Sequence, residues 1–234
     1  MKKLHIALVL VALMTVACGG RLQPQQQNDT ISSRVLLPGD STLYGLACDG
    51  TTDSVLVLLP FSGGNPDTLD IIQAREGHRI YGRPHIGDEM AVRFANDSTR
   101  EVLMAVNVSS LQDEWCYMAY PTPRRQLPDT IMKRLMVPVE YSLKIKRDGT
   151  VRASGMPRHQ TSDERRPVDY PVLKRYATWR LYNGRLILVP DSITQQSSDT
   201  ADILMMRRDT LVLRFRDKEQ AYYRKVDSTK VAFR

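Results

Sequence analysis

The sequence predicts an all-β chain, and three observations carry that prediction. Apolar and polar residues alternate with period two along most of the length after Thr42, which points alternate side chains to opposite faces of a strand. Short turn signals punctuate the alternation: Asp49-Gly50, Asn96-Asp97-Ser98, Asp148-Gly149 and Asn183-Gly184. Apolar stretches are also dense and short, with six strand-sized segments in about 70 residues, a density that suggests a small barrel.

In the first part, Leu46 and Cys48 alternate with Ala47 ahead of Asp49-Gly50. A continuous run from Val55 to Leu59 is stopped by Pro60, and Ser62 to Pro66 reads as a loop. Strands are expected at Thr68–Ala74 and Arg79–Tyr81. Met90, Val92 and Phe94 alternate with Ala91 and Arg93, and Val102, Met104, Val106 and Val108 continue that period. The segment Gly82-Arg83-Pro84-His85-Ile86-Gly87-Asp88, leading into a strand, resembles the entry to a strand in OB-type barrels. The resemblance implies a small OB-like β-barrel domain over residues 35–110.

A second unit is expected over residues 111–230. In Leu111-Gln112-Asp113-Glu114-Trp115-Cys116-Tyr117, Trp115 and Tyr117 share one face of a strand and Cys116 takes the other. This resembles the first strand of lipocalins, with Asp113 where that family usually has glycine. The resemblance implies an antiparallel, up-and-down, lipocalin-like β-barrel whose floor is closed by the tryptophan. Asp129 is placed to cap one or two helical turns carrying Ile131 and Leu135 on one side, with Pro138 as the stop.

The hairpins can be set in register. A two-residue turn at Asp148-Gly149 would mix apolar and charged groups on one face. A three-residue loop, Arg147-Asp148-Gly149, instead pairs Ile145 with Val151 and Leu143 with Ala153. At Asn183-Gly184 a two-residue type I′ turn pairs Leu181 with Leu186 and Trp179 with Leu188. Later strands are expected at Ala201–Met206, Leu211–Phe215 and Ala221–Val226, with Phe215 beside Ala221 and Leu213 beside Tyr223. Gly155 to Pro171 is a long polar stretch, either a mobile surface loop or a lid or contact loop. Asp227 to Arg234 reads as a tail.

The chain opens with Met1-Lys2-Lys3 and an apolar run from Ile6 to Val16, the charged and hydrophobic regions of a secretory signal. That run falls short of the roughly 20 apolar residues of a membrane span. Thr15, Val16 and Ala17 before Cys18 resemble the cleavage box of bacterial lipoproteins, with Thr15 where leucine is usual. The resemblance implies removal of residues 1–17, acylation of Cys18, and a lipid-anchored protein of the cell envelope, at the outer membrane and facing the periplasm. An ordinary signal peptide is the alternative. Residues 18–34, rich in Gln and poor in large apolar groups, read as a flexible tether.

Removing residues 1–17 leaves 31 basic side chains against 26 acidic ones, a net charge of +5. Basic residues are dispersed, with short clusters at Arg124-Arg125, Arg165-Arg166 and Arg207-Arg208, and no nucleic-acid motif accompanies them. Cys48 and Cys116 are candidates for a disulfide in an oxidising compartment, or two core thiols. The four histidines lie far apart, and no spacing resembles a metal site. Leu36-Leu37-Pro38-Gly39-Asp40-Ser41 resembles the nucleophile block of a hydrolase family. The late Asp-x-x-His block such an enzyme needs is missing, because no histidine follows His159. The expectation is therefore a non-catalytic protein without cofactor. Trp115, Tyr117, Tyr141 and Trp179 are its candidate ligand-lining residues, or simply fill the barrel. The expected ligand is small and apolar or amphipathic; an interaction or assembly factor with packed barrels is the alternative.

Overall fold

The computed structural model describes residues 37–96, 100–126, 128–155, 167–191, 197–216 and 218–225. The signal segment, Cys18, the tether, most of the Gly155–Pro171 loop and the Asp227–Arg234 tail lie outside the described residues. All described residues belong to one compact unit, Ile31–Arg234. It is an all-β structure with short helical turns.

The first sheet has six strands: β1 (Leu43–Ala47), β2 (Val55–Pro60), β3 (Asp67–Asp70), β4 (Ile80–Tyr81), β5 (Glu89–Phe94) and β6 (Val102–Asn107), in the order β3-β2-β1-β5-β6-β4. A parallel bridge between Asp70 and Glu101 curls β3 toward the start of β6. Together with helix α1 (Ile72–Glu76) between β3 and β4, this is the strand order of a small OB-like barrel. The strand expected at Thr68–Ala74 is cut short: β3 ends at Asp70, and the Asp70 carboxylate accepts from the Ile72 amide as α1 begins. An aspartate side chain that captures a backbone N–H favours a turn over a continued ladder. Gly45 lets β1 and β2 close up, since a β-carbon there would collide with the Leu59 backbone.

This sheet buries both faces. Leu56, Leu58, Leu69, Met90, Val92 and Val102 form its own core. On the opposite face, Tyr44, Ala91 and Val106 join a second core shared with the following strands. The alternation Met90/Val92 against Ala91 therefore marks two apolar faces rather than one wet and one dry.

The second sheet has eight antiparallel strands, in the order β10-β9-β7-β16-β15-β14-β13-β12. They are β7 (Glu114–Ala119), β9 (Val139–Ile145), β10 (Val151–Gly155), β12 (Tyr176–Tyr182), β13 (Arg185–Pro190), β14 (Asp199–Met206), β15 (Thr210–Phe215) and β16 (Lys218–Arg224). Neighbours in space follow one another along the chain, the up-and-down arrangement expected of a lipocalin-like barrel. A two-stranded ribbon, β8 (Thr122–Pro123) with β11 (Val168–Asp169), stands apart from it.

Closure between β10 and β12 is confined to one end. There Thr150 bridges Thr178, and the Trp179 amide donates to the Gly149 carbonyl at 2.9 Å. The same end receives the first sheet and helix α2 (Val108–Leu111), whose Val108 and Leu111 enter the shared core. Toward Gly155 and Tyr176 no ladder joins β10 to β12, so the barrel is plugged below and open above.

Two of the three predicted hairpin registers are present. Ile145 faces Val151 and Leu143 faces Ala153 across a three-residue loop, with Gly149 at φ 77°. Leu181 faces Leu186 and Trp179 faces Leu188 across Asn183-Gly184, whose φ values of 50° and 79° are those of a type I′ turn. The last hairpin differs from expectation. Phe215 faces Lys218, Leu213 faces Gln220 and Leu211 faces Tyr222. Tyr222 therefore turns inward, and Ala221 and Tyr223 turn outward. A tight connection entered by Arg216 at φ 53° sets this register, and it leaves Lys218 and Gln220 at the open end, where an apolar face is not required.

Candidate binding site at the barrel mouth

The lower half of the barrel is filled. Trp115 and Trp179 are almost fully excluded from solvent, and Leu181, Leu186, Leu211 and Leu213 pack with them. Each indole satisfies its N–H with a backbone carbonyl: Trp115 Nε1 donates to Leu111 at 2.9 Å, and Trp179 Nε1 to Lys146 at 2.8 Å. Buried aromatic N–H groups need such partners, so the two rings are fixed in place. Arg224 seals the floor from below, lying 5.0 Å from the Trp115 ring centroid and pairing with Asp113 at 3.2 Å. A fully buried large side chain of this kind contributes about 1.5–3 kcal/mol, so these tryptophans act as floor and plug.

Above them the barrel is hollow. A cavity of about 420 Å³ opens at the mouth, with Tyr117, Leu143, Ala153, Leu188, Phe215 and Tyr222 among its lining residues. That size lies within the range of small-molecule sites, about 300–1,000 Å³. Tyr117 is its aromatic centre: its ring meets Tyr141 at 5.6 Å and Tyr222 at 5.2 Å, both edge to face. Such pairs hold rings in set orientations. Burial pushes the Tyr117 phenol up to about 12, and Tyr222 also rises, through burial first. Both hydroxyls therefore stay neutral at physiological pH.

Polar groups gather at the upper rim. Lys174 Nζ reaches the two Asp199 carboxylate oxygens at 2.9 and 2.7 Å, and the Tyr176 hydroxyl donates to Asp199 at 2.7 Å. Burial would raise the Asp199 pKa, but the Lys174 and Tyr176 hydrogen bonds outweigh it and the net shift is downward. Lys218 and Gln220 also line the opening. Where β10 and β12 part, the strap Pro171–Lys174 borders the cavity. It is tied down by the Tyr141 hydroxyl, which donates to the Pro171 carbonyl at 2.8 Å. The ring of Tyr141 lies over Gly155, where a β-carbon would collide with it.

Of the four residues predicted to line a ligand cavity, only Tyr117 is among the lining residues. Tyr141 supports it from behind, while Trp115 and Trp179 lie deeper in the packed floor. Sequence reasoning missed Tyr176, Phe215 and Tyr222, and the Lys174–Asp199 pair. The period-two pattern held a signal for Phe215, which continues Leu211 and Leu213. It held none for Lys174 and Asp199, whose meeting depends on barrel closure.

The candidate disulfide cysteines are two free thiols. Cys48 follows β1, and Cys116 sits on the outer face of β7, where it is fully buried. Burial, then the nearby Glu140 carboxylate, pushes the Cys116 thiol up to about 11. Ser41 lies at the opposite end from the mouth. Its hydroxyl donates to Asn183 Oδ1 at 3.0 Å, while Asp40 Oδ1 accepts from the Asn183 amide at 3.0 Å. The Gly39-Asp40-Ser41 string thus clasps the Asn183-Gly184 turn.

A second depression, of 1110 Å³, runs between the first sheet and the β14–β15 turn, bordered by Arg75, Arg83, Arg207 and Arg208. Arg75 is committed to Asp53 at 2.6 Å. Among the described residues no group of three or more His, Cys, Asp or Glu could hold a metal ion, and no helix is long and apolar enough to cross a membrane. Comparison of the chain with known protein families, curated proteins and solved structures finds no match.

Proposed function

We propose that this chain is a lipid-anchored envelope protein, held through an acylated Cys18, whose barrel binds a small apolar or amphipathic molecule without catalysing its conversion. The open cavity over a packed aromatic floor carries this reading. It offers an apolar body site between Tyr117, Leu143, Leu188, Phe215 and Tyr222 and a polar rim at Lys218 and Gln220 for a head group. A bound molecule there would exchange hydrated aromatic surface for contact, the main source of affinity in apolar sites. The anchor reading rests on the sequence around Cys18, since several acyl chains on one residue give stable membrane attachment.

Native mass spectrometry of the protein purified from its own host tests the reading. A bound small molecule, released on unfolding, is expected; an empty barrel in every preparation would count against it. The anchor is tested by the mass of the mature N-terminal peptide, which should carry acyl chains on Cys18. A second reading, an envelope assembly factor that uses its surface, draws on the broad basic depression between the sheets. It predicts a defined stoichiometric partner in the same preparations, lost on reversing Arg207 and Arg208.

A further inference from the structure

Exposed apolar side chains cluster at the open end of the barrel. Of ten large hydrophobic residues exposed among the described residues, five surround the mouth: Met118, Tyr120, Ile131, Val137 and Val172, the last 72% exposed. Chain direction places them together. Strand β7 ends and β9 begins at the mouth, and their connection carries Tyr120, helix α3 (Asp129–Leu135) and Val137. The strap bearing Val172 is held to that connection, since the Tyr170 hydroxyl donates to the Val137 carbonyl at 2.9 Å. The β8–β11 ribbon makes a second tie.

Helix α3 is the most telling element. It carries Ile131, Met132 and Leu135, yet none of its residues is buried. Its last turn carries Lys133 and Arg134. Arg125, Arg175 and Lys218 stand on neighbouring segments, and none of these five cations has an ion pair among the described residues. Arg216, in the β15–β16 turn, adds a sixth such cation, and four carboxylates at this end, Asp129, Glu140, Asp191 and Glu219, likewise lack an ion pair among the described residues. The excess charge at the mouth is positive.

We infer that the mouth of the barrel docks directly on an anionic phospholipid bilayer, with the apolar tips entering the interfacial layer and the cations meeting the headgroups. Apolar residues scattered on loop tips and a short helix, interleaved with Lys and Arg, match an interface between hydrocarbon and headgroups better than a continuous hydrophobic groove for a folded partner. An aromatic such as Tyr120 suits that depth. The inference stands whether or not the cavity holds a ligand, and it requires no acyl chain. Docked in this pose, the cavity would open toward the membrane.

Flotation of residues 18–234 carrying Cys18→Ser, which keep the whole compact unit and lack the signal and any acyl group, tests the proposal. The probes are vesicles of phosphatidylethanolamine with phosphatidylglycerol, and vesicles of phosphatidylcholine. The protein should float with the anionic vesicles and much less with the neutral ones. Reversing Lys133 and Arg134 to Glu should weaken binding by about tenfold or more, as each cation near an anionic surface counts for about fivefold. Ile131→Asp with Val172→Asp should do the same. Ile86→Asp, at a comparably exposed residue in the β4–β5 connection, should change nothing. Circular dichroism of each variant identifies any that fail to fold, and the pair of surface charge reversals avoids the core altogether. Failure of the parent protein to float, equal flotation with both vesicle types, or folded rim variants that float like the parent would each overturn the proposal.

Discussion

Replacing Asn183 with glycine isolates the clasp that holds the segment before β1 against the barrel. Position 183 has φ 50°, which glycine adopts freely, and Gly-Gly supports the same type I′ turn. The Asn183 amide still donates to Asp40. What disappears is the side chain, which accepts from the Ser41 amide at 3.1 Å and hydroxyl at 3.0 Å, and donates to the Gly39 carbonyl at 3.1 Å. These three bonds are solvent-exposed, so each falls at the low end of the usual 0.5–1.5 kcal/mol, for a total of about 1.5 kcal/mol. For a folded unit of this size that lowers Tm by about 3–6 °C. Differential scanning calorimetry of parent and Asn183→Gly reads the shift directly, and ligand binding at the opposite end should be unaffected. A Tm within about 1 °C of the parent would refute the clasp as a stabilising element.

Three further outcomes follow from the geometry. Trp179→Phe removes the bond to Lys146 and leaves a void in the floor, so chemical denaturation should show a loss of about 2 kcal/mol. In a chain with Cys18 replaced by serine, a thiol reagent at pH 8 should label half-buried Cys48 in the native protein. Cys116, buried and with its pKa raised to about 11, should react only on unfolding; rapid native labelling of Cys116 would contradict its placement. Asp199 has a lowered pKa when folded, so its contribution to stability is present above the unfolded value of about 3.9 and is lost as pH falls through the lower folded value. Denaturation midpoints of the parent and Asp199→Asn should therefore differ at pH 7 and converge below pH ~4.

The alternation of apolar residues is enough to read most of the strands and two hairpin registers, because Asn183-Gly184 and Asp148-Gly149 carry turn chemistry that permits one solution each. The last hairpin lacks such chemistry: the chain turns after Phe215 through Arg216 in a left-handed conformation, a role arginine does not advertise. An apolar-only criterion then favoured Ala221 and Tyr223, whereas the open mouth tolerates Lys218 and Gln220 inside. Asp70 ended β3 through a local hydrogen bond that competes with strand propensity. The tryptophans could be assigned to a barrel face but not to a height within it. Height decided their role, since the first sheet plugs one end and places Trp115 and Trp179 in packed floor while Tyr117 reaches the cavity.

The most direct test of the account is occupancy of the cavity itself. Ala153 lines it, and Ala153→Trp would place an indole in the space proposed for the ligand while leaving the floor and the rim charges unchanged. Titration with a fluorescent fatty acid, followed by displacement with unlabelled fatty acid, should give saturable one-site binding to the parent protein. The Ala153→Trp variant, folded by circular dichroism, should bind at least about tenfold more weakly, as steric filling removes the apolar contact. Equal binding by the two proteins, or no saturable binding to the parent, would contradict a ligand site at the mouth of the barrel.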